Sequence, residues 1–173
     1  MITQEEANYL IGLKKYVIED GNLLEKFNFS PSIPIESRIY LAAEAEEDFS
    51  FFIEITQSAK RLLKLTLHFQ EEAASIGLLR VDFNGRHRNP ENMNDKVPEL
   101  FRDFAGQWIE ESHIHYYVEG YKPLVWAIPL NIDDSFFVKK FEDIGELGNI
   151  VSEFGRRVNL ITKISTTFQM VLL

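Results

Sequence analysis

Leu63-Lys64-Leu65-Thr66-Leu67-His68-Phe69-Gln70 decides the fold, because every second residue is apolar. A period of two places successive side chains on opposite faces of a strand. Leu79, Val81 and Phe83 repeat the pattern against Arg80, Asp82 and Asn84, and Ile114, Tyr116 and Val118 repeat it against His113, His115 and Tyr117. Three such segments predict a half-buried sheet with one apolar and one polar face. All four histidines fall in or beside these segments. Arg80, Asp82, His113, His115 and Tyr117 are therefore expected on the polar face, and Leu79, Val81, Phe83, Ile114 and Tyr116 on the buried one.

Two further strands precede them. Ile39, Leu41 and Ala43 alternate within 37–45, and Phe49, Phe51, Ile53 and Ile55 within 49–57. With strands at 60–70 and 77–84, the short spacers predict a consecutive antiparallel meander. Glu46-Glu47-Asp48 reads as one turn and Ser58-Ala59 as a tight hairpin. Strands at 112–118 and 124–130 flank a turn through Glu119–Pro123. In 158–173 Ile161, Ile164 and Phe168 suit a helix, whereas the β-branched run at Ile164–Thr167 favours a strand.

Helical intervals are fewer. Thr3 and Glu6 have capping-box spacing, and Ala7, Leu10, Leu13 and Val17 extend the pattern over 3–20. Pro98 opens a second helix at 98–110, with Phe101, Phe104, Ala105 and Trp108 as its stripe. A third is expected over 134–147, burying Phe137, Phe141 and Ile144. Ser30-Pro31-Ser32-Ile33-Pro34 is an extended connector. The fold class expected is α+β: one domain over 1–173, a mainly antiparallel twisted sheet of five to seven strands, and helices packed on one face.

Composition narrows the function. The 173 residues are 45% hydrophobic, include fourteen Phe and contain no Cys. That suits a packed core and rules out disulfides, thiolate metal sites and a cysteine nucleophile. No run approaches the ~20 apolar residues of a membrane helix, and the start lacks a signal-peptide pattern. A cytoplasmic protein without a membrane contact is expected. The net charge of −9 is uneven: eleven acids face four bases in residues 1–57, whereas six bases face three acids in 58–90. An acidic chain is a poor general binder of phosphate backbones.

Leu78-Leu79-Arg80-Val81-Asp82 with Gly85, His87-Arg88-Asn89-Pro90, and His113-Ile114-His115-Tyr116-Tyr117 ahead of Trp126-Ala127 occur together. This set resembles an uncharacterised domain family of bacterial and prophage proteins, with an H-x-N-P loop followed by a P-H-x-H-x-Y strand. Ser112 stands where that pattern has Pro. The resemblance covers residues 77–130. It implies a small single domain in a mobile-element setting, such as toxin–antitoxin, phage defence or anti-defence.

Two functional readings follow. The first is macromolecular contact by a phage or mobile-element accessory protein of regulatory or anti-defence type. Here the acidic turn Glu44, Glu46, Glu47 and Asp48 meets a basic protein partner, with Arg86 and Arg88 as further contacts. The second is an endoribonuclease of toxin type. His87, His113 and His115 would transfer protons, Arg80, Arg86 or Arg88 would hold the phosphate, and Tyr117 would orient it; nucleic acid would then be a partner. On a strand, His113 and His115 stand about 7 Å apart. That spacing suits a shared metal, completed by His87, Asp82 or Glu119. H-x-H alone does not fix a metal, so none is assigned. P-loop, G-x-G-x-x-G, G-x-S-x-G and H-E-x-x-H motifs are lacking, and no cofactor is expected. His68 reads as a cross-strand partner, and Trp108 and Trp126 as core anchors.

Overall fold

The computed structural model describes residues 1–168. Its elements, in chain order, begin with α1 (Gln4–Gly12), β1 (Lys15–Glu19), β2 (Asn22–Leu24), β3 (Lys26–Phe29), β4 (Glu36–Ala43), β5 (Ser50–Gln57), β6 (Leu65–Glu71) and β7 (Ile76–Phe83). There follow β8 (His87–Arg88), α2 (Glu99–Arg102), β9 (Trp108–Ile109), β10 (His113–Tyr116), β11 (Trp126–Pro129), α3 (Leu147–Arg157) and β12 (Lys163–Thr166). The architecture is α+β. Among the described residues the main sheet holds eight strands, more than the five to seven expected, in the order β11-β10-β7-β6-β5-β4-β1-β2. Every neighbouring pair in it is antiparallel. No helix among these residues is long and apolar enough to cross a membrane.

The alternation in residues 63–70 governs the layers. Ile55, Leu67, Val81, Ile114 and Ile128 are successive cross-strand neighbours and are almost wholly buried. Ala7 and Leu10 of α1 and Leu147, Ile150, Val151 and Phe154 of α3 belong to the same apolar cluster. Phe51 and Phe69 stack within it at 5.3 Å. On the opposite face, Arg38, Glu54, His68, Arg80 and His115 form one continuous cross-strand row. A second row, Thr56, Thr66, Asp82 and His113, runs beside it.

Several expected boundaries move, each for a local reason. The capping box of α1 forms: Thr3 Oγ1 accepts from the Glu6 N–H at 3.1 Å, and Glu6 Oε2 from the Thr3 N–H at 2.7 Å. The helix nevertheless stops at Gly12, not near residue 20, and Lys15–Glu19 becomes a strand against β4. Tyr16-Val17-Ile18 are strand formers, while Lys15 and Val17 turn into the core. The Ser58-Ala59 hairpin is a wider turn, closed by Ser58 N–H to the Lys64 carbonyl at 3.0 Å, and β6 starts only at Leu65.

The helix expected over 98–110 shrinks to Glu99–Arg102. Gly106, at φ +69°, lets the chain reverse into β9. The stretch expected as a helix at 134–147 is irregular with a 3₁₀ turn at Ile144–Glu146, and the longer helix is α3. Phe136 and Phe141 are buried, whereas Phe137 is exposed beneath Arg156, whose guanidinium lies 4.1 Å from its ring centre. In the tail, β12 pairs in parallel with β3; residues 169–173 of the strand expected at 158–173 lie outside the described residues.

Candidate functional site

Antiparallel register assembles the site. β10 lies beside β7 with His113 opposite Asp82 and His115 opposite Arg80, so all four side chains leave the same face. Asp82 Oδ2 lies 2.9 Å from His115 Nε2 and 3.4 Å from His113 Nε2. Thr66 Oγ1 donates to Asp82 Oδ1 at 2.5 Å. The outer ring nitrogens are tied to the backbone: His113 Nδ1 lies 2.7 Å from the Glu111 carbonyl and His115 Nδ1 2.8 Å from the Leu124 carbonyl. Leu124 sits at φ +60°, a left-handed conformation disfavoured for a residue with a β-carbon. That backbone turn aims the carbonyl at His115.

This end of the polar face is closed. His113, His115 and Asp82 are only 1%, 2% and 4% exposed. The cover is the 85–109 segment. Gly85 begins it, and a β-carbon there would stand 3.2 Å from both Asp82 Cβ and His113 Cε1. His87 follows, with Nε2 2.9 Å from the Val125 carbonyl and its ring centre 4.6 Å from that of His115 and 5.8 Å from that of His113. Asn89 Oδ1 accepts from the Ala127 N–H, and its Nδ2 donates to the Ala127 carbonyl, both at 2.8 Å. The H-x-N-P loop thus runs along edge strand β11, bonded at alternate residues. It satisfies backbone groups that an open sheet edge would leave unpaired.

Burial shapes the electrostatics. It pushes His115 down to about 4, against the opposing pull of Asp82. It also lowers His87. Burial alone would raise Asp82. Donation from His113 and His115 when their rings carry a second proton, together with the charge of Arg80, outweighs it and holds the carboxyl well below the usual carboxylate range. Arg80 Nε lies 2.8 Å from Asp82 Oδ2, but its N–H makes no aligned hydrogen bond. Its half-exposed side chain borders a cavity of about 230 Å³ with Glu54, Thr56, Thr66 and His68.

Of the residues singled out in the sequence, His87, His113, His115 and Arg80 come together around Asp82. Tyr117 does not join them. β10 ends at Tyr116, which breaks the alternation, and the Tyr117 hydroxyl donates to the Ile2 carbonyl at 2.6 Å. Glu119 is also elsewhere, accepting from the Gln4 N–H. His68 stays in its cross-strand row, and its Nε2 would stand 2.8 Å from a β-carbon added at Gly77.

Arg86 pairs with Glu110 and lies over Trp108, while Arg88 pairs with Glu91. Trp108 is 53% exposed and so is no core anchor; Trp126 is fully buried. Glu44, Glu47 and Asp48 are exposed on the β4–β5 turn, and Glu46 accepts from the Tyr9 hydroxyl. Sequence reasoning missed the carbonyls of Glu111, Leu124 and Val125. A backbone acceptor carries no residue-type signal.

The class is therefore an α+β protein whose antiparallel sheet carries a buried Asp–His–His cluster beneath a loop clamped to the sheet edge. The chain belongs to DUF6978, a family of unknown function, whose sequence model matches residues 2–160. No curated protein and no solved structure shows significant similarity to it.

Proposed function

We propose that the chain acts by macromolecular contact. In this reading it is a cytoplasmic accessory protein of a phage or mobile element, of regulatory or anti-defence type, and its acidic surface meets a basic protein partner. The observation that supports contact over catalysis is the 1–2% exposure of His113 and His115. A proton-transfer group must come within hydrogen-bond reach of the reacting atom. A polynucleotide cannot bring its phosphodiester to imidazoles lying under the 85–109 segment. Tyr117, wanted for orienting the phosphate, is engaged with the N-terminus. By contrast Glu44, Glu47 and Asp48 stand in solvent on one turn, and the chain as a whole carries −9. Such charges steer association with a basic surface and are screened by salt.

The test sets two readouts beside each other. Binding to a panel of basic nucleic-acid-processing proteins is measured by titration, and cleavage of a mixed RNA pool by gel. Reversing Glu44, Glu46, Glu47 and Asp48 to Lys is expected to weaken binding, as is added salt. His113→Ala and His115→Ala are expected to leave it nearly intact. RNA cleavage by the wild type that vanishes in His113→Ala would replace contact with the endoribonuclease reading.

A further inference from the structure

Each imidazole of the buried cluster is fixed at one end. His113 Nδ1 faces the Glu111 carbonyl and His115 Nδ1 the Leu124 carbonyl. A carbonyl oxygen only accepts, so each Nδ1 carries the ring proton. In the neutral rings both Nε2 atoms then present lone pairs, and both point at Asp82 Oδ2. One ligand atom from each of the three residues lies within 4.8 Å of the others. Three lone pairs converging in a buried space repel one another. Protonating both rings exchanges this for two imidazolium ions and Arg80 around a single carboxylate, an excess of buried positive charge. A divalent cation carries the same charge as the two added protons, but it sits where the three lone pairs meet, so each of the three atoms becomes a ligand instead of a repelling neighbour.

We propose that Asp82, His113 and His115 bind a single first-row divalent metal ion, with zinc as the ion they fit. Two imidazoles and a carboxylate are donors that zinc accepts, and the chain has no thiolate to favour a softer ion. Tetrahedral zinc with bonds of about 2.0–2.1 Å sets its ligand atoms about 3.3–3.4 Å apart. The Oδ2-to-nitrogen separations of 3.4 and 2.9 Å lie near that spacing, and the two nitrogens lie within 4.8 Å of each other. The outer contacts are those of a metal site: both Nδ1–H groups are held by carbonyls, and Asp82 Oδ1 by Thr66. The donors stand on hydrogen-bonded neighbouring strands, so the site requires no refolding. Arg80 is the competitor. Its buried Nε lies 2.8 Å from Asp82 Oδ2 without an aligned hydrogen bond, while its side chain as a whole is half-exposed. This site stands independently of the contact reading above.

The full chain, stripped with a chelator, is titrated with Co²⁺ and separately with Zn²⁺. One Co²⁺ per chain, with the visible absorption of a four-coordinate nitrogen–oxygen site that Zn²⁺ abolishes, is the expected result. Zn²⁺ should also raise the thermal midpoint progressively with its concentration, since it binds the folded form. Asp82→Asn and His115→Gln, with wild-type circular dichroism, should bind at least ten-fold more weakly. His68→Gln, outside the site, should bind as the wild type does, and Arg80→Gln should bind more tightly. Absence of both the cobalt absorption and the zinc-dependent shift in the wild type overturns the proposal, as does unchanged binding by folded Asp82→Asn. Should either ligand variant fail to fold, the wild-type cobalt titration and the His68→Gln comparison decide.

Discussion

Asn89 pairs with Ala127 as a residue of a ninth strand would. Its side-chain amide accepts the Ala127 N–H and donates to the Ala127 carbonyl, both at 2.8 Å, from a position 3% exposed. His87, two residues earlier, meets the Val125 carbonyl, two residues before Ala127. Residues two apart on an extended chain face the same way, which is why this loop needs its His and its Asn at that separation. Pro90 follows, and its carbonyl accepts from the Gly106 N–H at 2.8 Å, closing the flap.

Asn89→Ala would therefore leave a buried N–H and a buried carbonyl of β11 without partners. Each orphaned group costs roughly 1–3 kcal/mol, so a loss of about 2–6 kcal/mol is expected from urea unfolding at neutral pH. Asn89→Asp should also lose stability, because it keeps the acceptor and replaces the donor with a negative oxygen facing a carbonyl. A loss below about 0.5 kcal/mol for Asn89→Ala would mean that water replaces the clamp.

The sheet was legible because its burial is one-sided: Leu65, Leu67 and Phe69 are buried while Thr66, His68 and Gln70 are half-exposed. Lys15–Glu19 was misread as helix because its inward residue Lys15 is charged, which hides the alternation with Val17. α3 was missed because Gly148, Asn149 and Gly155 suggest a loop, although Leu147, Ile150, Val151 and Phe154 keep helical spacing. At the site, alternation sufficed to put Asp82, His113 and His115 on one face. That this end of the face is roofed over was not legible, because the roof is held largely by bonds to the carbonyls of Val125, Ala127 and Phe104.

Gly85 sits where the roof begins. An added methyl would press on Asp82 Cβ and His113 Cε1 at 3.2 Å each, closer than comfortable carbon contact. Neither neighbour can retreat freely, since His113 is held by the Glu111 carbonyl and Asp82 by Thr66. Gly85→Ala is expected to destabilise by about 1–3 kcal/mol, the range for overpacking. It should also shift the His113 imidazole resonances in NMR, while those of His68, on another part of the sheet, stay in place. Unchanged His113 resonances would show that the loop yields instead.

Lys15 makes the stability of the fold depend on pH. Its Nζ is fully buried and donates to the carbonyls of Ile11, Leu13 and Val158 at 2.9, 2.8 and 2.9 Å. These oxygens lie at the C-terminal ends of α1 and α3, where carbonyls lack intrahelical partners and favour a cation. The rings of Phe51 and Phe69 lie 5.1 Å away. Burial pushes the ammonium down to about 7, whereas an unfolded lysine titrates near 10.4. Between those values the unfolded chain binds more protons at this position than the folded one. Stability due to Lys15 therefore rises with pH from about 7 towards about 10.4, and is lowest below about 7. Lys15→Met removes that titration and leaves three carbonyls unpaired, a loss of roughly 2–4 kcal/mol at neutral pH even if water reaches one of them. Urea unfolding of wild type and Lys15→Met at pH 7, 8 and 9 checks both statements. The gap in favour of the wild type should widen at each step. A constant gap would show that the three carbonyls keep the lysine fully charged throughout, and a more stable variant would show that the two helix ends need no buried cation.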